Sequence, residues 1–145
     1  MVEAATHDPF DLARFVAAQE NVYEQAITEI RAGEKRTHWM WFIFPQIAGL
    51  GYSATAVYFA IKGIDEAEAY MTHPLLGPRL IECAEAAVAV EGRSALEVFG
   101  RPDDLKLRSC ATLFGSLPNA NPIFSLLLQK YFKGAGDEGT LQMLK

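Results

Sequence analysis

Apolar residues recur at three- and four-residue steps over most of the chain, and no stretch keeps the strict alternation of a half-buried strand. Asp8-Pro9 reads as an N-cap with proline at the first helical position. Leu12, Phe15, Val16, Tyr23, Ala26, Ile27 and Ile30 then mark an inward face up to Gly33, a C-cap candidate. Asn21 with Glu24 offers a second start, so this stretch is one long helix or two shorter ones. Pro45 stops regular structure, and Ile47 to Tyr52 forms a glycine-containing loop before Ser53 caps a helix through about Ile61.

Asp65 and Glu68 fit a capping box for a short helix ending before Pro74. A longer helix starts near Pro74 or Pro78, turns Leu80, Ile81, Ala84, Ala87 and Val88 inward, and ends at Gly92. Ser94 and Glu97 form another capping box, Gly100 closes that turn, and Pro102 opens a helix through Phe114. Asn121-Pro122 repeats the start signal for a helix that buries Ile123, Phe124, Leu127, Leu128, Tyr131 and Phe132 and leaves Ser125, Gln129 and Lys133 wet. A short last helix begins at Asp137 with Thr140 in its first turn. The pattern predicts an all-α, single-domain, irregular multi-helical array of about eight helices over residues 8–144, with residues 1–7 a flexible N-terminus.

The run His38-Trp39-Met40-Trp41-Phe42-Ile43-Phe44-Pro45-Gln46 contains both tryptophans of the chain. Rings and Ile43 favour strands, but the helical surroundings and the apolar character on every side predict a central helix whose polar ends, His38 and Gln46, need partners.

Half the residues are hydrophobic and 21% are charged, which places the 145-residue chain in the globular class and gives it enough length for one sizeable core. A formal charge of −5, with only Lys35-Arg36 and Arg31 as a basic group, argues against a nucleic-acid partner. Cys83 and Cys110 lie in separate apolar patterns without redox or zinc spacing, and neither a secretory signal nor a membrane span is readable. The expectation is a cytoplasmic protein with reduced thiols and no membrane partner, its oligomeric state open with a monomer favoured.

Candidate chemistry gathers around the aromatic run. Trp41 and His38 offer a wall for a flat ligand, and Gln46, Gly49, Gly51 and Ser53 lead into a helix start whose free amides suit an anion. Lys106, Ser109 and Thr112 form a polar stripe at three-residue steps on the helix after Pro102, where Asp103 or Asp104 would act as general base if buried. His7, His38 and His73 are scattered, and no Gly-x-Ser-x-Gly elbow occurs, so neither metal, cofactor nor serine nucleophile is expected.

The blocks His38 to Gln46, Gly49-Leu-Gly-Tyr-Ser53, His73-Pro-Leu-Leu-Gly-Pro-Arg-Leu80, Phe99-Gly-Arg-Pro-Asp-Asp-Leu-Lys106 through Thr112-Leu-Phe114, and Lys130-Tyr-Phe-Lys-Gly134 with Asp137 and Thr140 resemble a bacterial family, the domain of unknown function numbered eighteen-ten. The resemblance runs from about Asp8 to Leu144 and implies a small multi-helical cytoplasmic domain without an assigned activity. A calpastatin-like label used for some members does not fit, because such inhibitors are long disordered repeats and this chain is half hydrophobic. The expected function is binding of a small polar or anionic ligand beside the aromatic helix. Alternatives are a glycosidase-like enzyme acting on ADP-ribose or nucleotide-type compounds, and a protein–protein interaction module without catalysis.

Overall fold

The computed structural model describes residues 7–145, so the N-terminus expected to be flexible lies outside the described residues except for His7. Ten helices form among them: α1 Ala13–Gln19, α2 Tyr23–Ala32, α3 Met40–Ile43, α4 Ala54–Tyr58, α5 Ile64–Thr72, α6 Leu76–Ala89, α7 Ala95–Phe99, α8 Asp103–Gly115, α9 Ile123–Phe132 and α10 Glu138–Met143. The architecture is all-α, with two more helices than the periodicity indicates.

The additions come from breaks that periodicity averages over. Asp8 accepts hydrogen bonds from the amides of Leu12 and Ala13, yet Asp11 takes a left-handed φ of 53° and α1 begins only at Ala13. The chain breaks again at Glu20 to Val22, so the stretch holds two helices, and Tyr23 starts α2 without a side-chain cap from Asn21. Gly33 closes α2 in the left-handed region, where glycine carries no Cβ penalty. The Asp65–Glu68 box does not form, because Gly63 is the N-cap and Asp65 already lies in the first turn of α5. The Ser94–Glu97 box forms in full, and Asp137 caps α10 through Thr140 N at 2.8 Å.

Helix α9 packs on α8 and α6, α2 and α5 also lie on α6, and α7 and α10 flank α8. The α5–α6 corner is tight: a Cβ on Gly77 would stand 2.1 Å from Met71 O, so only glycine fits. Through the core runs a succession of rings, Phe15 to Tyr70 at 5.0 Å, Tyr70 to Phe114 at 5.5 Å and Phe114 to Phe124 at 5.7 Å. Edge and offset arrangements of this kind satisfy the ring quadrupoles while burying large apolar areas.

Buried polar groups tie the loops to this core. The Arg14 guanidinium donates to Phe10 O, Asp11 O, Tyr58 O and Ala60 O and pairs with Glu66 at 2.7 Å, so a desolvated charge is fully bonded. Gln19 Nε2 donates to Phe42 O and to Tyr70 Oη, and its Oε1 accepts from Arg79. Glu29, 4% exposed, receives Gln25 Nε2, Arg36 N, Thr37 N, Thr37 Oγ1 and the Trp39 indole N–H. Burial alone would raise this carboxyl, but the converging donors outweigh it and hold the pKa at about 2, below the ordinary 4.5.

The aromatic run corrects the expectation of a central helix closed to water on every side. Only one turn, α3, is helical. Trp39, Met40, Ile43 and Phe44 are buried, Trp41 and Phe42 are half-buried, and His38 is exposed. The physical reason is Glu29, whose bonds to residues 36, 37 and 39 give the approach to α3 a fixed non-helical path. Helix α4 likewise stops at Tyr58 rather than near Ile61, because Ile61 is drawn into a parallel bridge with Ile47, Ala48 N donating to Ile61 O and Ile61 N to Gln46 O.

Candidate functional site

The segment after Pro45 leaves the core at Gln46–Ala48, loops outward through Gly49–Tyr58 and returns at Ile61. The bridge at its base and the two Arg14 bonds to Tyr58 O and Ala60 O pin both ends. Between them α4 buries none of its residues, and Tyr52 is 91% exposed. This loop forms the outer wall of a groove whose inner wall is Trp41 and the first turns of α8.

The groove consists of two adjoining cavities that share Trp41, Gln46, Gly51 and Ala56. The first, about 230 Å³, is walled by Ile47, Ala48, Val57, Phe59 and Ala60, with Lys62 as its charged residue. The second, about 450 Å³, carries more polar groups on a lining that is still largely apolar, with Ser53, Lys106, Ser109 and Asp137 beside Leu50, Pro102 and Leu105. Depressions of about 640 Å³ elsewhere contain no residue of the aromatic run.

Two lysines couple α8 to the tryptophans. Lys106 Nζ sits 4.8 Å from the Trp41 ring centroid and 3.5 Å from Asp103 Oδ1, while Lys35 Nζ sits 5.0 Å from the Trp39 ring and 2.9 Å from Asp103 Oδ2. Asp103 therefore stands between two ammonium groups, each resting over an indole, with Lys35 the closer partner and Lys106 the looser one.

Trp41, Gln46, Gly49, Gly51, Ser53, Lys106 and Ser109 all line the groove. The remaining candidates do not. His38 is exposed and lines neither cavity, because the turn into α3 directs it away from the run's inner side. Thr112 is buried: its Oγ1 donates to Arg108 O and accepts from Asp137 N, and it sets the turn before α10 instead of meeting a ligand. Asp103 is occupied by the two lysines and lines neither cavity. Asp104, 4% exposed, binds Arg101 through Oδ2 and has an unpartnered Oδ1, yet it too lies outside both cavities, so burial alone does not give it a substrate to deprotonate. The helix start at Ser53 is also less suited to an anion than its glycines suggest, since α4 spans five residues and Ser53 Oγ already takes the Ala56 amide.

Asp137 was readable only as a cap. Its Oδ2 accepts from Thr140 N and Oγ1, and the residue lines the second cavity. The apolar wall Val57–Ala60 gave no chemical signal, because its role follows from the loop's return. Glu29 had a usable signal: a charge on the stripe of Ala26, Ile27 and Ile30 must find donors. Among the described residues no group of three or more His, Cys, Asp or Glu is arranged to hold a metal ion, and no helix is long and apolar enough to cross a membrane.

No curated protein matches the chain. Its structure is similar to that of the conserved hypothetical protein Rv1873 from Mycobacterium tuberculosis, with 54% sequence identity and a TM-score of 0.93 over 94% of this chain and 98% of that one. The family model described as protein of unknown function (DUF1810) matches residues 9–144, and the chain therefore belongs to that family.

Proposed function

We propose that the groove beside α3 binds a small polar or anionic ligand. The observation that carries this reading is the pair of adjoining cavities on Trp41 and Gln46 with the Lys106 ammonium anchored at 4.8 Å over the Trp41 ring. A concave apolar wall with a few convergent polar groups is the usual form of a small-molecule site. The ammonium supplies attraction for an anion, and the indole supplies area for a flat group. Catalysis by Asp103 or Asp104 has no support in this arrangement, since neither reaches the groove. We read the protein as bacterial and cytoplasmic, consistent with its mycobacterial relative and with Cys83 and Cys110 as buried free thiols.

The test is thermal unfolding of the wild type and of Lys106→Met against nucleotides, sugar phosphates and organic acids. A true ligand raises Tm with the logarithm of its concentration over Kd, and the shift shrinks in Lys106→Met. If no compound of any class stabilises the wild type, the groove is not a binding site of this kind.

A further inference from the structure

Resting on that reading, the two cavities differ in a way that specifies the shape of the ligand. We propose that it is a nucleoside monophosphate, with an uncharged planar base in the first compartment and its sugar and phosphate in the second. An apolar cavity of about 150 Å³ is known to accept a benzene ring. The first compartment, at about 230 Å³ and walled by Trp41, Ile47, Val57, Phe59 and Ala60, has room for one or two fused rings. Its walls contribute mostly flat and aliphatic surface, with the charge of Lys62 on a side chain 71% exposed, which suits an uncharged ring.

The second compartment asks for the opposite. It is larger, about 450 Å³, and carries a cation and a carboxylate together, Lys106 and Asp137, with the hydroxyl of Ser53 and that of Ser109, which is donated to Leu105 O. Asp137 is held by its amide on Thr112 Oγ1 and its Oδ2 on Thr140, which makes it a fixed carboxylate in this lining. A carboxylate acceptor selects hydroxyl donors and repels an isolated anion. Lys106 selects the anion, and its pairing with Asp103 at 3.5 Å is loose enough to be exchanged for a phosphate. A free inorganic anion would satisfy Lys106 but leave Asp137 and the apolar compartment without partners. A simple aromatic acid would leave Asp137 unmatched. A ring joined through a diol-bearing sugar to a phosphate answers all three.

The proposal is tested by calorimetric or tryptophan-fluorescence titration with adenosine, guanosine and uridine 5′-monophosphates, and with the fragments adenosine and ribose 5-phosphate. At least one intact nucleotide should bind about tenfold or more tightly than either of its fragments, because linking two matched parts makes the second contact intramolecular. In Ala60→Leu, which fills the apolar compartment, the ratio of intact-nucleotide to ribose 5-phosphate affinity should collapse toward one. Ala48→Leu repeats the test from the opposite wall should the first variant fold poorly. In Lys106→Met the ratio of intact nucleotide to adenosine should collapse instead. Equal affinity for ribose 5-phosphate and the intact nucleotides in the wild type, or no binding of any nucleotide, overturns the proposal. The broader ligand-binding reading falls only if the sugar phosphates and organic acids fail as well.

Discussion

Replacing Glu29 by glutamine removes the charge on which five donors converge, and the structure allows the cost to be worked out. The wild-type carboxylate accepts from Gln25, Arg36 N, Thr37 N and Oγ1, and Trp39 Nε1 at 2.6 to 3.1 Å. Glutamine has one acceptor oxygen and an NH₂ that must face some of those donors. A depression of the carboxyl from 4.5 to about 2 corresponds to about 3 kcal/mol, reduced to about 2 kcal/mol by screening through the exposed Arg36 and Thr37. Because the folded pKa is the lower one, this stability is present above pH 4.5 and is lost as pH falls from there toward 2. Urea denaturation of wild type and Glu29→Gln at several pH values should therefore show a gap of about 2 kcal/mol at pH 7 that narrows below pH 4. The Trp39 emission of the variant should shift as its indole loses its partner. A gap below about 0.5 kcal/mol, or one that stays constant down to pH 2.5, would refute the assignment of Glu29 as the charged anchor of the approach to α3.

Arg14→Met strands the Glu66 carboxylate in the core and should cost about 3 kcal/mol in denaturant unfolding, with partial recovery in Arg14→Met, Glu66→Gln, where no charge is left buried. Gly77→Ala should destabilise by about 3 kcal/mol, because its Cβ has no room beside Met71 O, and a thermal scan that leaves Tm unchanged would contradict the close α5–α6 corner. Burial pushes the Cys83 thiol up to about 12 and Cys110 well above its ordinary value, so at pH 8 both should react with an aromatic disulfide reagent only at the rate of global opening. Hydrogen exchange should find the amides of Tyr52 to Phe59 fast and those of Ala48 and Ile61 slow, since α4 buries none of its residues while the bridge holds the loop's base; uniform protection across the loop would count against that picture.

Seven groove residues were identifiable from side-chain chemistry near one another in sequence, Trp41, Gln46, Gly49, Gly51 and Ser53 on one segment and Lys106 and Ser109 on another. The other four candidates lie outside the groove. His38 lies on the non-helical approach to α3 and is exposed, and Asp104, one position before the lining residue Leu105 on α8, is turned about 100° from it and pairs with Arg101. Thr112 and Asp103 instead found partners distant in sequence, Asp137 N and Lys35, and those partners exist only in the folded chain.

The sequence by itself determined that the chain is helical, compact and rich in short capped elements. Caps, helix stops and three- to four-residue periodicity act over a few neighbours, and a half-hydrophobic composition guarantees a core. Only the tertiary structure decided that the aromatic run is one turn of helix with Trp41 left half-exposed, and that Gly49–Tyr58 stands off the core as the wall of a groove. Those outcomes depend on the buried charges of Glu29 and Arg14. Each draws together backbone groups from separate segments, because a desolvated charge must collect its hydrogen bonds wherever the fold can supply them.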